Sequence, residues 1–402
     1  MLLSEDHRLI RDAVRDYAQR EIAPHAAQWA RDARFPREAL RGLGELGCLG
    51  VAVPAQWGGA GLDYLSLALA IEEIAAADGA TSTIVSVNNC PVCSILMAWG
   101  NDAQKERWLK PLARGEMIGA FALTEPQAGS DAANLRTTAR YVPPEADKSA
   151  SPPEGVRQAR GGPALAAGDG GHYVLDGVKQ FITSGKNGQV AIVLAVTDRA
   201  AGKKGISAFI VPTDTPGYIV ERLEDKAGQT ASDTAQIRFD GCRIPAENRI
   251  GAEGEGYKIA LSGLEGGRIG IAAQAVGMAR AAFEAALRYA RERSAFGKVL
   301  FEHQAVQFRL SDMATQVEAA RQLLWHAVSL KDAGQPCLKE AAMAKLFASE
   351  MAERVCSAAM QIHGGYGYVA DFPVERIWRD VRVCQIYEGT SDVQKLLIAR
   401  AL

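Results

Sequence analysis

Residues Ile259 to Arg291 read IALSGLEGGRIGIAAQAVGMARAAFEAALRYAR. The run contains no proline, and Leu261, Leu264, Ile271, Ala275, Met278 and Ala282 recur on one helical stripe. A helix of this length is stable in water only when neighbours cover its apolar stripe. The neighbours follow downstream. His303 to Leu330 and Leu338 to His363 have the same long helical pattern, and Val393 to Ala401 is a short last helix. From Glu255 onward the chain therefore reads as a four-helix bundle. Upstream the period changes to that of strands. Phe121–Thr124, His172–Leu175, Val190–Val196, Ile206–Val211, Tyr218–Leu223 and Ala235–Phe239 are short β-prone runs separated by Gly, Asp, Asn and Pro. Residues 1 to about 118 are helical again, with Ser4 as a candidate cap, Pro24 closing the first helix and further helices over Pro36–Gly44, Asp63–Ala77, Thr81–Trp99 and Gln104–Leu112. The reading is an α+β fold, mainly α. It has an N-terminal helical domain (1–118), a central β-barrel-like or sandwich domain (119–245) and a C-terminal four-helix bundle (246–402). Inside the β domain, 142–171 is rich in Pro, Ala, Gly and charge and reads as a mobile surface loop joining two strands.

Composition narrows the function. With 48% hydrophobic residues in 402, the chain can bury a large core. A formal charge of −2, spread over both halves, gives no basic face for nucleic acid. No apolar run approaches the roughly 20 residues of a membrane span. Met1-Leu-Leu-Ser-Glu-Asp-His-Arg8 turns charged too early for a secretory signal. Seven scattered cysteines suit a reducing compartment, and the expectation is cytoplasmic. Cys90-Pro-Val-Cys93 has no second thiol pair, and the six histidines show no metal-ligand spacing, so no metal is expected. No Gly-x-Gly-x-x-Gly links a strand to a helix, which argues against a nicotinamide fold.

Five stretches carry chemistry. In Gln385-Ile-Tyr-Glu-Gly-Thr-Ser-Asp392, Glu388 lies between an apolar run and a turn at Gly389, with Thr390 or Ser391 able to cap a last helix. A partly desolvated carboxylate there has the raised pKa a general base needs, although an exposed loop acid fits the spacing equally well. Phe121-Ala-Leu-Thr-Glu-Pro-Gln-Ala-Gly-Ser-Asp131 leaves a strand for a turn that offers hydroxyls and free N–H groups, yet such a turn needs no ligand. Lys179-Gln-Phe-Ile-Thr-Ser-Gly185 sets an aromatic two residues before a hydroxyl, as an ordinary strand end also can. Arg293-Ser-Ala-Phe-Gly-Lys298, followed by Phe301-Glu-His-Gln304, joins two long helices; Arg293 is a natural diphosphate ligand or a solvated charge. Gln361-Ile-His-Gly-Gly-Tyr-Gly367 ends a helix in glycines that serve either as a cap or as a close approach for phosphate. His303 and His363, inside the last two, read as local packing or hydrogen-bonding groups.

Taken together and in this order, these stretches resemble the acyl-CoA dehydrogenase family, most closely its short-chain members, over nearly the whole chain. The resemblance implies an FAD-dependent oxidoreductase of fatty acid β-oxidation and lipid metabolism. It would convert a short-chain acyl-CoA to trans-2-enoyl-CoA, with Glu388 abstracting the α-proton and the β-hydride passing to the flavin. It implies that Phe121, Leu123, Thr124, Ser130, Phe181 and Thr183 meet the flavin. Phe181 stands where many relatives carry Trp. It implies that Arg293, Phe296, Gln304, Gln361, Gly364 and Gly365 hold the FAD of a neighbouring subunit, with Thr390 and Asp392 as further cofactor contacts. Substrate contacts by resemblance are Ser130, Glu265, Arg268, Tyr387 and Gly389, with Glu265 longer than the usual Asp. Some branched- and long-chain relatives carry their base just before the arginine of the Leu264-Glu-Gly-Gly-Arg-Ile269 stretch; here that position is Gly267. The resemblance also implies a homotetramer, a dimer of dimers, reoxidised by an electron-transferring flavoprotein. The competing readings are a same-fold flavoenzyme acting on a branched acyl-CoA, and an oxygen-reacting oxidase or monooxygenase.

Overall fold

The computed structural model describes residues 3–144 and 170–402. The expected surface loop falls, from residue 145 to residue 169, outside the described residues. The N-terminal block holds α1 (Glu5–Tyr17), α2 (Ala23–Asp32), α3 (Arg37–Glu45), α4 (Tyr64–Ala77), α5 (Gly79–Val87), α6 (Ser94–Trp99), α7 (Asp102–Gln104) and α8 (Lys110–Ala113). Ser4 caps α1 by accepting from His7 N–H, and Asp63 caps α4 by accepting from Ser66 N–H at 2.8 Å. Pro24 does not stop the chain. A wider turn over Ala18–Ile22 carries it into α2, where proline sits in the first turn and its missing N–H costs no helical bond. Thr81 to Trp99 is two helices rather than one, parted by Asn88–Cys93, where Cys90 leaves helical geometry before Pro91.

The stretch Gly79–Trp99 also corrects the hydropathy reading. Its 21 residues are long and apolar enough to cross a membrane by composition, but 83% of that window is buried inside this fold, so it serves here as a core segment.

The central strands are β1 (Gly119–Ala122), β2 (Thr138–Val142), β3 (His172–Thr183), β4 (Val190–Val196), β5 (Ile206–Pro212), β6 (Tyr218–Leu223), β7 (Thr234–Pro245) and β8 (Arg249–Ile250). Their order is β6-β7-β3-β2-β4-β5-β8, with β1 also beside β4. The sheet does not close into a barrel, because β6 and β8 at its two ends are not paired. Its alternating side chains explain its two faces. Val190, Ile192 and Leu194 of β4 pack with Val92, Ile95, Leu96 and Leu112 of the helical block. Ala191, Val193 and Ala195 join Tyr173, Leu175, Phe209 and Phe239 in a core internal to the sheet. β2, absent from the sequence reading, pairs Val142 with His172, so residues 142–172 connect two antiparallel neighbours.

The bundle consists of α9 (Gly256–Glu292), α10 (Gln304–Asp332), α11 (Leu338–His363), α12 (Pro373–Val381) and α13 (Ser391–Ala399). On α9, Ile271, Ala275, Met278 and Ala282 are buried as expected, whereas Leu261 is 44% exposed. Residues of α4 share one core with α9, α10 and α11, so the N-terminal block supplies part of the bundle's packing. Charge ties the same elements together. Glu72 on α4 accepts from Arg321 at 2.8 Å and lies 3.1 Å from Arg280 Nε as an ion pair, while Glu73 accepts from Arg15 at 2.8 Å and Arg280 at 2.6 Å. These carboxylates are buried, and removing one leaves guanidinium charge without its partner. Glu72→Ala is expected to lower stability by about 3–5 kcal/mol in urea denaturation. Glu318→Ala, which removes the exposed partner of Arg321, is expected to cost about 1 kcal/mol or less.

Candidate active site

The Glu388 loop rests on α9. Glu388 adopts φ 54° and Gly389 φ 89°. A non-glycine residue held in the left-handed region costs about 1–3 kcal/mol, so the surroundings must enforce it. They do so through two carbonyls. Gln394, fully buried on α13, donates to Glu388 O at 3.1 Å and Gly389 O at 2.8 Å. Lys345, fully buried on α11, donates to Gly389 O at 2.7 Å. Arg268 on α9 donates to Gln394 Oε1 at 3.2 Å and Leu264 O at 3.1 Å. Thr390 caps α13, accepting from Val393 N–H.

The carboxylate faces the helix. A Cβ at Gly267 would collide with Glu388 Oε2 and lie 2.8 Å from its Cδ. Glycine is therefore what admits the carboxylate to this position. Oε2 is buried and, among the described residues, has no hydrogen-bond partner. Burial pushes the Glu388 carboxyl up to about 7, against the pull of Arg268 and Lys345. Among the described residues the Glu388 N–H donates to no acceptor. Here an ionisable oxygen and a free N–H donor lie on one residue.

Tyr387 anchors the loop on the other side. Its hydroxyl donates to Gln274 Oε1 on α9, and Gln274 Nε2 donates to Gly79 O and Ser82 Oγ on α5, both at 2.9 Å. Gln229, after β6, joins this buried network through Thr83 at 2.5 Å and through the Asp380 backbone carbonyl at 2.9 Å.

The two strand-end stretches meet each other. Lys179 Nζ, fully buried, reaches Glu125 Oε1 at 2.8 Å and Leu123 O at 3.0 Å. Burial alone would raise the Glu125 carboxyl; Lys179 outweighs it and holds that carboxyl well below its usual range. Gln180 N–H donates to Thr124 O at 2.8 Å. The β3–β7 register shifts between Lys179 and Ile182, and within that bulge Phe181 takes φ 60° and stands 62% exposed. Leu123 is buried, Thr124 and Thr183 are half-buried, Ser130 is exposed, and Phe121 is half-buried against the core that the sheet shares with the helical block. A Cβ at Gly129 would meet nothing. An exposed aromatic, nearby hydroxyls and open backbone fit the ring of a flavin.

Three family models match along the chain. The acyl-CoA dehydrogenase N-terminal, middle and C-terminal domains match residues 4–116, 152–242 and 254–402. The chain belongs to the acyl-CoA dehydrogenase family. The mitochondrial short-chain specific acyl-CoA dehydrogenase of Mus musculus is 45% identical over 397 residues, 99% of this chain and 90% of that protein. The solved butyryl-CoA dehydrogenase of Megasphaera elsdenii superposes with a TM-score of 0.90 at 38% identity, covering 100% of this chain and 99% of that one. A solved chain described with the electron transferring flavoprotein of Acidaminococcus fermentans gives 0.91 at 41%, covering 100% and 98%. This acyl-CoA dehydrogenase is therefore an FAD enzyme.

The remaining motifs lie on the surface. Arg293 places its guanidinium 5.8 Å from the Tyr366 ring, which brings the two C-terminal motifs together. Phe296 is 97% exposed at φ 54°, Gln304 and Gln361 are exposed, and Gly364 and Gly365 have open space where a Cβ would project. His303 bonds Ala295 O, and His363 bonds Ala359 O and stacks on Tyr289. Asp392 is exposed beside Lys395, and Glu265 is paired with Lys331 at 2.8 Å. All seven cysteines are buried free thiols. The sequence reading missed Lys345, Gln394, Gln274 and the Glu125–Lys179 pair. Only Lys345, a lone cation among Ala341, Ala342, Ala344 and Ala348, left a visible signal.

Gly267→Ala is expected to displace the Glu388 carboxylate. Turnover should fall about 10²-fold, as for a 1 Å misplacement of a reacting group, while the visible spectrum shows FAD retained.

Proposed function

We propose that this acyl-CoA dehydrogenase oxidises a short-chain acyl-CoA across its α and β carbons to trans-2-enoyl-CoA, with Glu388 removing the α-proton. The observation that carries this reading is the buried, unpartnered Oε2 of Glu388 over Gly267. A carboxyl near pKa 7 is matched to proton transfer at neutral pH. The free N–H of Glu388 is the donor for the thioester carbonyl, where negative charge grows as the proton leaves. FAD, when bound, accepts the β-hydrogen with its electron pair.

Phe121, Leu123, Thr124, Ser130, Phe181 and Thr183 would hold the flavin ring. Arg293, Phe296, Gln304, Gln361, Gly364 and Gly365 would hold the dinucleotide of a neighbouring subunit, with Thr390 and Asp392 at its edge. The proposed assembly is a homotetramer, in which the exposed rings of Phe296 at 97% and Tyr368 at 83% would be covered by a neighbouring subunit. Ser130, Glu265, Tyr387 and Gly389 are the substrate-facing positions. Arg268, 5% exposed and bonded to Gln394, acts through the loop. A short monocarboxylic chain is favoured because no Arg or Lys occurs between Thr81 and Trp99 to receive a distal carboxylate. The short-chain name of the mouse relative supports the same choice. An electron-transferring flavoprotein is the proposed acceptor partner, and the cytoplasm the proposed compartment.

Anaerobic butyryl-CoA is expected to bleach the yellow wild-type protein. Glu388→Gln should stay yellow and lose about 10²–10⁴-fold in turnover; a variant that turns over normally refutes the assignment. The base works deprotonated. With a carboxyl near 7, kcat/KM should rise about tenfold per pH unit below that value and level off above it.

A further inference from the structure

Lys345 occupies a place where a lysine is costly. It is fully buried on α11 between alanines, and among the described residues it forms no ion pair within 4 Å. An ammonium taken from water without a carboxylate partner loses much of its solvation. Methionine would fill the same space without that cost. Among the described residues the Lys345 ammonium has one hydrogen bond, to Gly389 O, the residue after the base, at 2.7 Å. That carbonyl also accepts from Gln394, so both of its lone-pair directions are taken.

We propose that Lys345 is a positioning residue for the reaction: by holding the Gly389 carbonyl it fixes the left-handed turn at Glu388 and Gly389, and it supplies charge that balances the buried Glu388 carboxylate. The proposal rests on the reading of Glu388 as the base. The groups around that carboxylate leave few other sources of balancing charge. Arg268 of α9 acts on it, but its guanidinium is committed to Gln394 and Leu264 O and is also drawn to Glu265. Cys90, before α6, is a buried thiol whose own ionisation is suppressed. From α13 the contact is the uncharged Gln394. Lys345 in turn faces Cys384, Glu388, Arg268 and Glu350. Cys384 is a buried thiol pushed up to about 11, so it supplies no counter-charge near neutrality. Arg268 and Lys345 therefore grip one peptide, the first through Gln394 and the second directly. Without Lys345, burial would raise the proton affinity of Glu388 further and the turn would lose one of its two carbonyl anchors.

The test compares FAD-loaded wild type, Lys345→Met and Lys345→Arg with butyryl-CoA across the neutral range. Lys345→Met should move the acid limb of kcat/KM up by about 1–3 pH units, the size expected for loss of a nearby opposite charge. It should lower kcat more than it changes KM. Lys345→Arg should return the limb towards the wild-type position. Infrared difference titration of the Glu388 carboxyl without substrate should shift in the same direction. A Lys345→Met protein with the wild-type limb, or with an equal loss at every pH, overturns the proposal. If that variant does not retain FAD, Lys345→Gln, which keeps a donor but no charge, is judged by the same limb. Glu388→Gln is measured alongside: normal turnover there defeats the base assignment itself, whatever Lys345 does.

Discussion

Taking a single carboxylate out of water is the constraint around which this molecule is arranged. An isolated charge in a protein interior is so unfavourable that the group neutralises unless other charges compensate. Glu388 sits between these limits. Burial favours its protonated form, Arg268 and Lys345 favour the ionised one, and the balance falls near neutrality. Neither cation forms a close ion pair with it, so the carboxylate keeps an oxygen without a partner. A direct salt bridge would have occupied that oxygen and driven the pKa down.

α9 is built to let other elements come close. Gly263, Gly266 and Gly267 interrupt a helix that alanine would stabilise by about 1 kcal/mol at each position. Their missing side chains are filled from outside: Pro91 within 2.6 Å of one, Cys90 Sγ within 2.9 Å of the next, and the Glu388 carboxylate at the third. Helix propensity is given up where tertiary packing and chemistry need the room. The buried carboxylates of α4 and their arginines on α1, α9 and α10 then keep these helices in fixed relation.

The strand-end segments follow a similar logic with backbone rather than side chains. One buried pair, Glu125 with Lys179, fastens the turn after β1 to the end of β3. A bulge next to that pair turns Phe181 outward instead of into the sheet. Phe181 stands exposed because buried neighbours hold the chain that carries it.

Local order was legible from the sequence. The long helices of the bundle, six of the strands, the cap at Ser4 and the apolar stripe of α9 each depend on residues a few positions apart, where period and capping chemistry act. Glu388 was legible as a carboxylate between an apolar run and a turn, and the family by resemblance. Errors arose where local signals were weak or outweighed: Pro24 sits at the one helical turn that tolerates it, and β2 buries only Ala139 and so shows no apolar alternation. Tertiary structure alone decided the surroundings of the Glu388 carboxyl. Lys345, Gln394, Arg268, Gln274 and Gly267 reach its loop from three helices, up to 126 residues apart in the single Arg268–Gln394 bond. A sequence read by local period carries no record of which distant side chains will share a volume; desolvation and charge balance exist only once that volume is formed.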